Sequence, residues 1–342
     1  MRYLIDPERQ QYKANLHCHS VLSDGLKTPE ELKAMYRSHG YSILAITDHE
    51  RPASHTHLSE QDFMMLTGYE CYIRPRAQYD VYEREVHLNL LARDPDNVKL
   101  ICCDERYCRY LKRDGALDSV VRAGSESPRV LTPEYVNEYI RTARQHGYLV
   151  TYNHPYWSME DEADILAYDG IFSLEICNYS SYLINGLEHS APLYDTMLRR
   201  GKRIFCHGSD DNHNKYPEGD PMCDSFGAFT MIMPEEFTYG SVIAAMEKGE
   251  MYASMGPVIR SLSVEGGTLH IECSEVAHIF AYFGSKMPAR VHAARGEDLT
   301  SADIPIDQAA RYLRIGILDR DGRWANTRGY FREELGLPPL AE

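Results

Sequence analysis

Histidines and carboxylates occur in this sequence at short spacings that suit a divalent metal ion. His17-Cys18-His19 places two imidazoles on one side of an extended segment, because side chains in a strand repeat every two residues. Ser23-Asp24-Gly25 adds a carboxylate five residues after His19, and Gly25 permits a tight turn there. A His-x-His pair alone is weak evidence for a metal site, since two ordinary strand or surface histidines give the same pattern.

Further ligand-type residues lie in or at the ends of later apolar runs. His49 ends the run that starts at Tyr41, and Glu70 ends the next run. His87 lies in the run from Val86 to Leu91. With these further residues, a chance occurrence of His17 and His19 becomes a poorer explanation than a metal site.

The last two runs complete the pattern. His154 follows Tyr148–Tyr152, and Asp211-x-His213 follows the run that ends at Cys206. The predicted set is His17, His19, Asp24, His49, Glu70, His87, His154, Asp211 and His213. Histidine and carboxylate without thiolate suit Zn, Mn or Fe better than Ca or Mg alone. Nine ligands are too many for one ion and suit three ions that share a bridging carboxylate.

Apolar strand-like runs alternate with helical patterns between these residues. Thr28-Pro29-Glu30-Glu31 predicts a capped helix that ends near His39, and Thr132-Pro133-Glu134 predicts another that ends near His146. This alternation is typical of a parallel sheet or barrel with helices outside. Active sites of such barrels lie at the carboxyl ends of the strands, where the predicted ligands are found.

Two parts of the chain depart from the alternation. Residues 94–130, rich in Arg, Asp and Cys, are expected to be an insertion over the barrel mouth or edge, helical near Asp104–Lys112. From residue 256 onwards, short β-like runs broken by glycine predict a small β-sandwich-like appendage. We therefore predict a hydrolase domain at 1–255 and a β-rich domain at 256–342.

The motifs that contain the predicted ligands resemble those of the PHP (polymerase and histidinol phosphatase) superfamily of metal-dependent phosphoesterases. The segments that carry the resemblance are Asn15–Gly25, Ile46–His49, Gly68–Glu70, Val86–Leu88, Asn153–Pro155 and Gly208–His213. They occur in the family's order over about residues 14–213. The resemblance implies a distorted (β/α)7 TIM-like barrel with a trinuclear metal site.

The resemblance also implies a role for each ligand. The first ion would be held by His17, His19, Glu70 and Asp211, with Glu70 bridging to a second ion on His87 and His154. Asp24, His49 and His213 would hold the third. The family's last motif usually reads Ser-Asp-x-His, whereas this chain has Ser209-Asp210-Asp211-Asn212-His213. The two-residue strand spacing favours Asp211 over Asp210 as the ligand. Asp48, Asn153 and Asp210 are candidates for supporting the metal-bound histidines.

The C-terminal segment has a weaker likeness of its own. Gly256–Ile259 and Arg314–Ala325 resemble the β-rich tail of the carbaryl-hydrolase-like branch of PHP proteins. This likeness contributes no ligand, but it allows a different substrate class.

The expected activity is hydrolysis of a phosphate monoester or nucleotide-type phosphoester by a metal-bridging hydroxide. Arg74, Arg76 and Arg93 flank the Glu70 and His87 runs and could grip phosphate, although solvated loop charges are an equally simple explanation. Tyr156 and Trp157 could stack on a ring or simply pack beneath their loop. The alternatives are hydrolysis of carboxyl esters or carbamates at the same site, a nuclease, and a non-enzymatic metal protein.

Composition narrows the choice of partner and compartment. The 342-residue chain has 36 Lys and Arg against 51 Asp and Glu, a net charge of −15, which argues against long nucleic acid as a partner. The start lacks a signal-peptide core, no apolar run is long enough to span a membrane, and the nine cysteines form no Cys-x-x-Cys pair. We expect a cytoplasmic enzyme with a small-molecule substrate, whose oligomeric state the sequence leaves open.

Overall fold

The computed structural model describes residues 1–76, 78–307 and 310–339. The strands are β1 Arg2–Ile5, β2 Tyr12–Asn15, β3 Ile43–Ile46, β4 Met64–Ile73, β5 Val86–Ala92, β6 Leu100–Ile101, β7 Arg122–Ala123, β8 Tyr148–Tyr152, β9 Ser173–Asn178, β10 Phe205–Ser209, β11 Phe229–Ile232, β12 Met251–Ser254, β13 Ile259–Glu265, β14 Thr268–Val276, β15 His278–Tyr282, β16 Ala289–His292, β17 Leu299–Pro305, β18 Tyr312–Leu318, β19 Trp324–Thr327 and β20 Tyr330–Phe331. The helices are α1 Pro29–Ser38, α2 Arg109–Arg113, α3 Pro133–Gln145, α4 Glu162–Ala167, α5 Tyr179–Asn185, α6 Ala191–Arg199 and α7 Tyr239–Lys248.

Seven strands form the part of the main sheet that positions the predicted ligands, in the order β2-β3-β4-β5-β8-β9-β10. Neighbours are parallel except at β5, which runs antiparallel to both β4 and β8. The first and last strands meet just beyond their ends, where His19 N donates to Asn212 O and Asp211 N donates to His17 O, both at 3.0 Å. The predicted α/β class is confirmed, with a sheet that is mixed and not wholly parallel.

Helix α1 begins where the sequence predicts it. The Thr28 hydroxyl accepts a hydrogen bond from Glu31 N, and the Glu31 carboxylate accepts one from Thr28 N at 2.8 Å. This reciprocal capping satisfies two backbone donors that a helix start otherwise leaves free. The Thr132 side chain caps α3 in the same way by accepting from Tyr135 N. Both helices pack against the outside of the sheet and leave its strand ends open.

The chain after β12 is rich in β-structure, as the sequence predicts. The main sheet continues through β11, β12, β19, β18, β15 and β16, and a second sheet has the order β1-β13-β14-β17. The N-terminal strand β1 pairs antiparallel with β13, so residues from both ends of the chain share that second sheet. A separate apolar core, which includes Leu262, Ile271 and Ile315, lies between the sheets. No helix among the described residues is long and apolar enough to cross a bilayer.

The segment between β5 and α3 forms an arm, residues 94–130, that contains β6, α2 and β7. Its helical part, α2, is shorter and starts later than the predicted Asp104–Lys112. The arm is tied to the body by Arg129, whose buried guanidinium pairs with the buried Glu50 carboxylate and donates to Tyr72 O at 2.8 Å. Glu50 follows His49 directly and has φ 51°, and its carboxylate also accepts from Tyr72 N at 3.0 Å. One ion pair thus fixes the arm beside a predicted metal ligand.

Replacing Arg129 with Met should destabilise the protein by about 3–5 kcal/mol, because Glu50 would remain buried without its cation. Urea unfolding followed by circular dichroism measures this change. The control is Arg141→Met, which removes an exposed ion pair to Glu138 and should change the unfolding midpoint little. Equal midpoints for the two variants would show that the buried pair does not hold the arm.

Candidate metal centre

The Glu70 carboxylate lies at the middle of a cluster of histidines. Strand β4 extends past Glu70 to Ile73, so this carboxylate projects from within the strand, where it is 1% exposed. Its Oε1 atom lies 2.9 Å from His87 Nδ1 and 3.4 Å from His154 Nε2. Its Oε2 atom lies 2.9 Å from His49 Nδ1. A single carboxylate is therefore within reach of ions on both of its faces.

His17 and His19 meet Glu70 and Asp211 on one side of this carboxylate. The Nε2 atoms of the two histidines are 3.3 Å apart. Asp211 Oδ1 lies 3.2 Å from His17 Nε2 and 3.0 Å from His19 Nε2. Glu70 is 3.3 Å from His17 Nε2 and 3.4 Å from His19 Nε2. The four side chains assigned to the first ion by resemblance converge on one point.

Asp24, His49 and His213 come together at the outer side of the cluster. Asp24 Oδ1 lies 3.7 Å from both His49 Nε2 and His213 Nε2. His19 belongs to the same group, with all four ligand atoms within 4.8 Å of one another. The structure thus gathers all nine predicted residues at one end of the sheet.

Asp211 and Asp210 point to different places. Asp211 has φ 54°, a left-handed conformation that aspartate tolerates better than most residues, and its carboxylate faces the histidines. Asp210 instead accepts hydrogen bonds from the backbone N–H groups of Phe226, Gly227 and Ala228. Tyr36 also donates to it, at 2.8 Å. Asp211 is therefore placed to bind an ion, whereas Asp210 fixes the loop before β11.

Three histidines are oriented through their second ring nitrogen. His17 Nδ1 lies 3.0 Å from the Glu175 carboxylate, which is buried on β9. His19 Nδ1 lies 3.3 Å from Ser23 Oγ, and His154 Nδ1 lies 3.1 Å from Ser158 Oγ. Such contacts fix the ring and leave Nε2 free for a metal. Strand β9 and Glu175 were missing from the sequence prediction, although a lone glutamate inside the apolar run Phe172–Cys177 is an available signal.

Asp48 and Asn153, the other two residues predicted to support the histidines, contact a turn and the central carboxylate instead. Asp48 accepts from Ser20 N at 2.8 Å and from the Ser20 and Ser23 hydroxyls, and so holds the turn between His19 and Asp24. Asn153 donates from Nδ2 to Glu70 Oε1 at 3.0 Å and thereby orients the central carboxylate directly. Both remain predicted supports of the metal ligands.

Several atoms of the cluster lack the hydrogen bonds that buried polar atoms normally have. Asp24 Oδ1, Glu70 Oε2, Asp211 Oδ1, His49 Nδ1 and His87 Nε2 are buried and form no hydrogen bond within the described ranges. Oxygen and imidazole nitrogen atoms that face each other across 3–4 Å without hydrogen-bond geometry are typical of shared metal coordination. The residues present therefore fit divalent ions.

The buried carboxylates of the cluster also indicate that it binds cations. Burial lowers the pKa of His17, but the carboxylates of Asp211, Glu70 and Glu175 outweigh burial and raise it to about 10. Burial also lowers the pKa of His87, and Glu70 and Glu85 outweigh it and raise the value to about 9. The carboxylates thus attract protons onto the imidazoles when no other cation is bound. Metal ions would take the place of those protons.

A cavity of about 340 Å³ opens beside the cluster. Four predicted ligands line it together with cationic and aromatic side chains. The lining residues are Asp24, His49, Tyr72, Arg74, Tyr79, His87, Arg109, Tyr110, Trp157, His213 and Lys215. This combination admits a small anionic molecule next to the candidate metal positions.

The three arginines predicted to bind substrate lie in different places. Arg74 lines the cavity and pairs with Glu85. Arg76 is exposed, pairs with Glu83 at 2.7 Å and is not among the residues that line the cavity. Arg93 lies at the far end of the sheet, where it pairs with Glu247 at 2.6 Å. The structure does not bring Arg93 to the site. Strand β5 runs antiparallel to its neighbours, so its first residues lie near the metal ligands and Arg93, which follows its last residue, lies at the opposite end of the sheet.

Together, the α/β fold and the buried cluster define a protein with a candidate polynuclear metal centre. The family model of the PHP domain matches residues 15–148, which include six of the nine predicted ligands. The chain contains a PHP domain, and the resemblance drawn from its motifs is confirmed. The likeness of the C-terminal segment to the carbaryl-hydrolase-like branch remains a prediction.

The chain is also similar to several solved structures. A two-domain protein of Bacteroides vulgatus containing a predicted PHP-like metal-dependent phosphoesterase is 12% identical, with TM-score 0.44, covering 96% of this chain and 98% of the other. A Bifidobacterium adolescentis protein described as a metal-dependent phosphoesterase by assignment is 20% identical, with TM-score 0.39, and the match covers 62% of this chain and 92% of the other. An amidohydrolase of Chromobacterium violaceum with bound sulfate is 17% identical, with TM-score 0.37, covering 61% and 93%. No curated protein matches the chain. None of these likenesses decides its activity.

Binding of Mn²⁺ or Zn²⁺ near neutral pH should release protons, because His17 and His87 are protonated there until a metal displaces their protons. Apparent affinity should therefore fall as the pH is lowered from about 8 to about 6. Calorimetric titration in two buffers of different ionisation enthalpy measures the release. Identical heats in both buffers would contradict the protonated state of the metal-free cluster.

Replacing Glu175 with Gln should weaken metal binding by about 10- to 100-fold, because His17 would lose the anion that orients its ring. Metal affinity measured with a competing chelator tests this, with thermal unfolding to show that the variant is folded. Glu138→Gln, a change at an exposed helix position, should bind metal like the parent protein. Parental affinity in Glu175→Gln would remove Glu175 from the metal centre.

Proposed function

We propose that this protein is a metal-dependent phosphoesterase that hydrolyses a small phosphate monoester or nucleotide-type phosphoester. The observation that carries the proposal is the shared cavity, which is lined by Asp24, His49, His87 and His213 and also by the Arg74 side chain. A phosphoryl group in this cavity would contact the bound ions and the guanidinium together. The PHP domain supports hydrolysis as the class of reaction.

The nine gathered residues can hold three divalent ions. His17, His19, Glu70 and Asp211 would hold the first, Glu70, His87 and His154 the second, and Asp24, His49 and His213 the third. Ions bound there would polarise the phosphoryl oxygens and lower the pKa of bound water towards about 7. Zn, Mn and Fe are the ions that this histidine and carboxylate set suits.

The chain's own residues would position the ester. The Arg74 carbon Cζ lies 4.2 Å over the ring of Tyr72, and its Nε pairs with Glu85, so the guanidinium is held at the cavity wall. A guanidinium binds phosphate through two parallel hydrogen bonds, which fixes both distance and orientation. Trp157 stands edge-on against His87 and His154 and closes the remaining side. These side chains would hold a substrate while excluding bulk water.

The charge of the cavity favours phosphate esters over the neutral carboxyl esters or carbamates that the same metal site could also attack. A neutral substrate would leave the Arg74 guanidinium paired with Glu85 alone and would bring no anion to the other cations of the cavity, Arg109 and Lys215. A nuclease acting on long strands is disfavoured, because the net charge is −15 and the cavity is small. The proposed enzyme is expected to act in the cytoplasm, on a small molecule.

The direct test combines elemental analysis with a phosphatase screen of small phosphate esters and nucleotides in the presence of added Mn²⁺ or Zn²⁺. We expect about three ions per chain and release of phosphate. Glu70→Gln should lose most of its bound metal and reduce kcat/KM by at least about 100-fold, because it removes a charge from the centre of the cluster. Glu138→Gln, the same change at an exposed position of α3, is the matched control and should behave like the parent.

Two results would contradict the proposal. A protein that binds no metal after reconstitution would refute the metal centre itself. A protein that binds three ions and hydrolyses an aryl ester or carbamate but no phosphate ester would keep the metal centre and assign it to the other substrate class.

A further inference from the structure

Two cations in the cavity have no carboxylate partner. Arg109 and Lys215 are exposed cavity-lining residues, and neither forms an ion pair within the part of the chain that the structure describes. Arg74 in the same cavity is neutralised by Glu85, and nearby Arg113 is neutralised by Asp114. In a chain with an excess of 15 acidic residues, two cations without an ion pair in one small cavity point to an anionic ligand.

We propose that Arg109 and Lys215 form a second anion subsite, so that the substrate is a small phosphomonoester whose planar organic part carries a further anionic group. This inference rests on the proposed function, since it extends the substrate in the same cavity. The phosphoryl group would lie against the metal ligands and Arg74. The second anion would lie against Arg109 and Lys215.

The two cations come from distant segments that meet only at this cavity. Arg109 is the first residue of α2 in the arm, and Lys215 lies two residues after His213 in the loop that follows β10. The Arg109 guanidinium lies over the ring of Tyr110, with its Cζ atom 4.4 Å from the ring centroid, and donates to the Tyr110 hydroxyl. Like charges brought to one small cavity repel each other. Asp24 lines the same cavity, and a metal ion bound to its carboxylate would add to the positive charge there. An anion bound at Arg109 and Lys215 would offset that charge.

The arm is built to hold Arg109 at this place. Arg113, at the other end of α2, donates to the carbonyl oxygens of Val21, Leu22 and Ser23 at 3.1–3.2 Å. Arg51 pairs with Asp114 at 2.8 Å directly after the helix. These contacts fasten α2 to the turn that carries Asp24, so the second anion subsite is fixed relative to the metal ligands.

Aromatic side chains line the same cavity as the cations. Tyr72, Tyr110 and Trp157 line the cavity, and Tyr79 lies at its exposed rim. The backbone N–H of Trp157 donates to the buried Glu188 carboxylate at 2.9 Å, which fixes the backbone that carries the ring. Flat apolar walls favour a flat organic body, and the volume of about 340 Å³ limits that body to a small molecule.

The experiment compares four probes with protein reconstituted with Mn²⁺. Phenyl phosphate has the ring alone, 4-carboxyphenyl phosphate adds a carboxylate, 1,4-phenylene bisphosphate adds a second phosphate, and phosphoglycolate has the second anion without a ring. We expect kcat/KM for the two probes with both a ring and a second anionic group to exceed that for phenyl phosphate and phosphoglycolate by about tenfold or more, the equivalent of one charged hydrogen bond. The ratio between those two probes identifies which second anion the subsite takes.

Variants assign the preference to the two residues. Arg109→Met and Lys215→Met should each remove most of the preference through KM, while phenyl phosphate is hydrolysed within about twofold of the parent, because a rim cation acts in binding rather than in the chemical step. Lys112→Met is the matched control, since Lys112 is an exposed cation of the same helix that does not line the cavity. Unchanged preference in the double variant Arg109→Met and Lys215→Met would overturn the inference.

A binding measurement separates this inference from the proposed function. Calorimetry with 4-carboxyphenylphosphonate and phenylphosphonate, which cannot be hydrolysed as phosphate esters, should show about tenfold tighter binding of the former to the parent and equal binding to the double variant. If none of the phosphate esters is hydrolysed while this difference persists, the proposed reaction fails and the anion subsite stands. If esters are hydrolysed and the difference is absent, the subsite fails alone.

Discussion

A fully buried carboxylate at Glu70 is the constraint around which this structure is arranged. An isolated ionised carboxylate cannot be taken out of water without a compensating cation or several hydrogen bonds. Here one described donor, Asn153, is directed at it, while imidazoles approach both oxygens. The pKa of Glu70 is nevertheless held well below its ordinary value, because burial, which raises it, is outweighed by His17, His87 and His49. The site is stable only when it contains cations, either protons on the imidazoles or metal ions.

The direction of one strand decides which residues meet this carboxylate. Strand β4 continues past Glu70 and turns back into β5, so Tyr72 pairs with His87 and Glu70 pairs with Asn89. The start of β5 therefore lies at the same end of the sheet as the ends of its parallel neighbours. His87 joins the cluster for that reason, and Arg93, only six residues later, is carried to the opposite end.

This strand also shows how far the sequence predicts the structure. The spacing of His17 and His19, the capping residues of α1 and the apolar run of β8 are local features, and each has the predicted structure. Strand direction depends on pairing between segments far apart in sequence, so an alternating pattern could not show that β5 is antiparallel. The role of Glu175 could not be predicted for a related reason. Its carboxylate contacts His17, which is far away in sequence, and only the folded structure shows that contact. Spacing favours Asp211 over Asp210, but it could not predict the backbone donors that bind Asp210.

The arm links stability to recognition. Arg129 fastens the arm to Glu50, the residue after His49, and Arg113 fastens it to the turn before Asp24. Any movement of the arm would therefore displace one wall of the cavity and two predicted ligands together. The net charge of −15 has little effect on the field inside the cavity, since surface carboxylates farther than about 8 Å are screened at physiological salt. An acidic protein can thus present a cationic cavity, provided that the cations are fixed at the cavity and the acids are spread over the remaining surface. Arg109, on a helix that Arg113 ties to the turn before Asp24, meets the first condition.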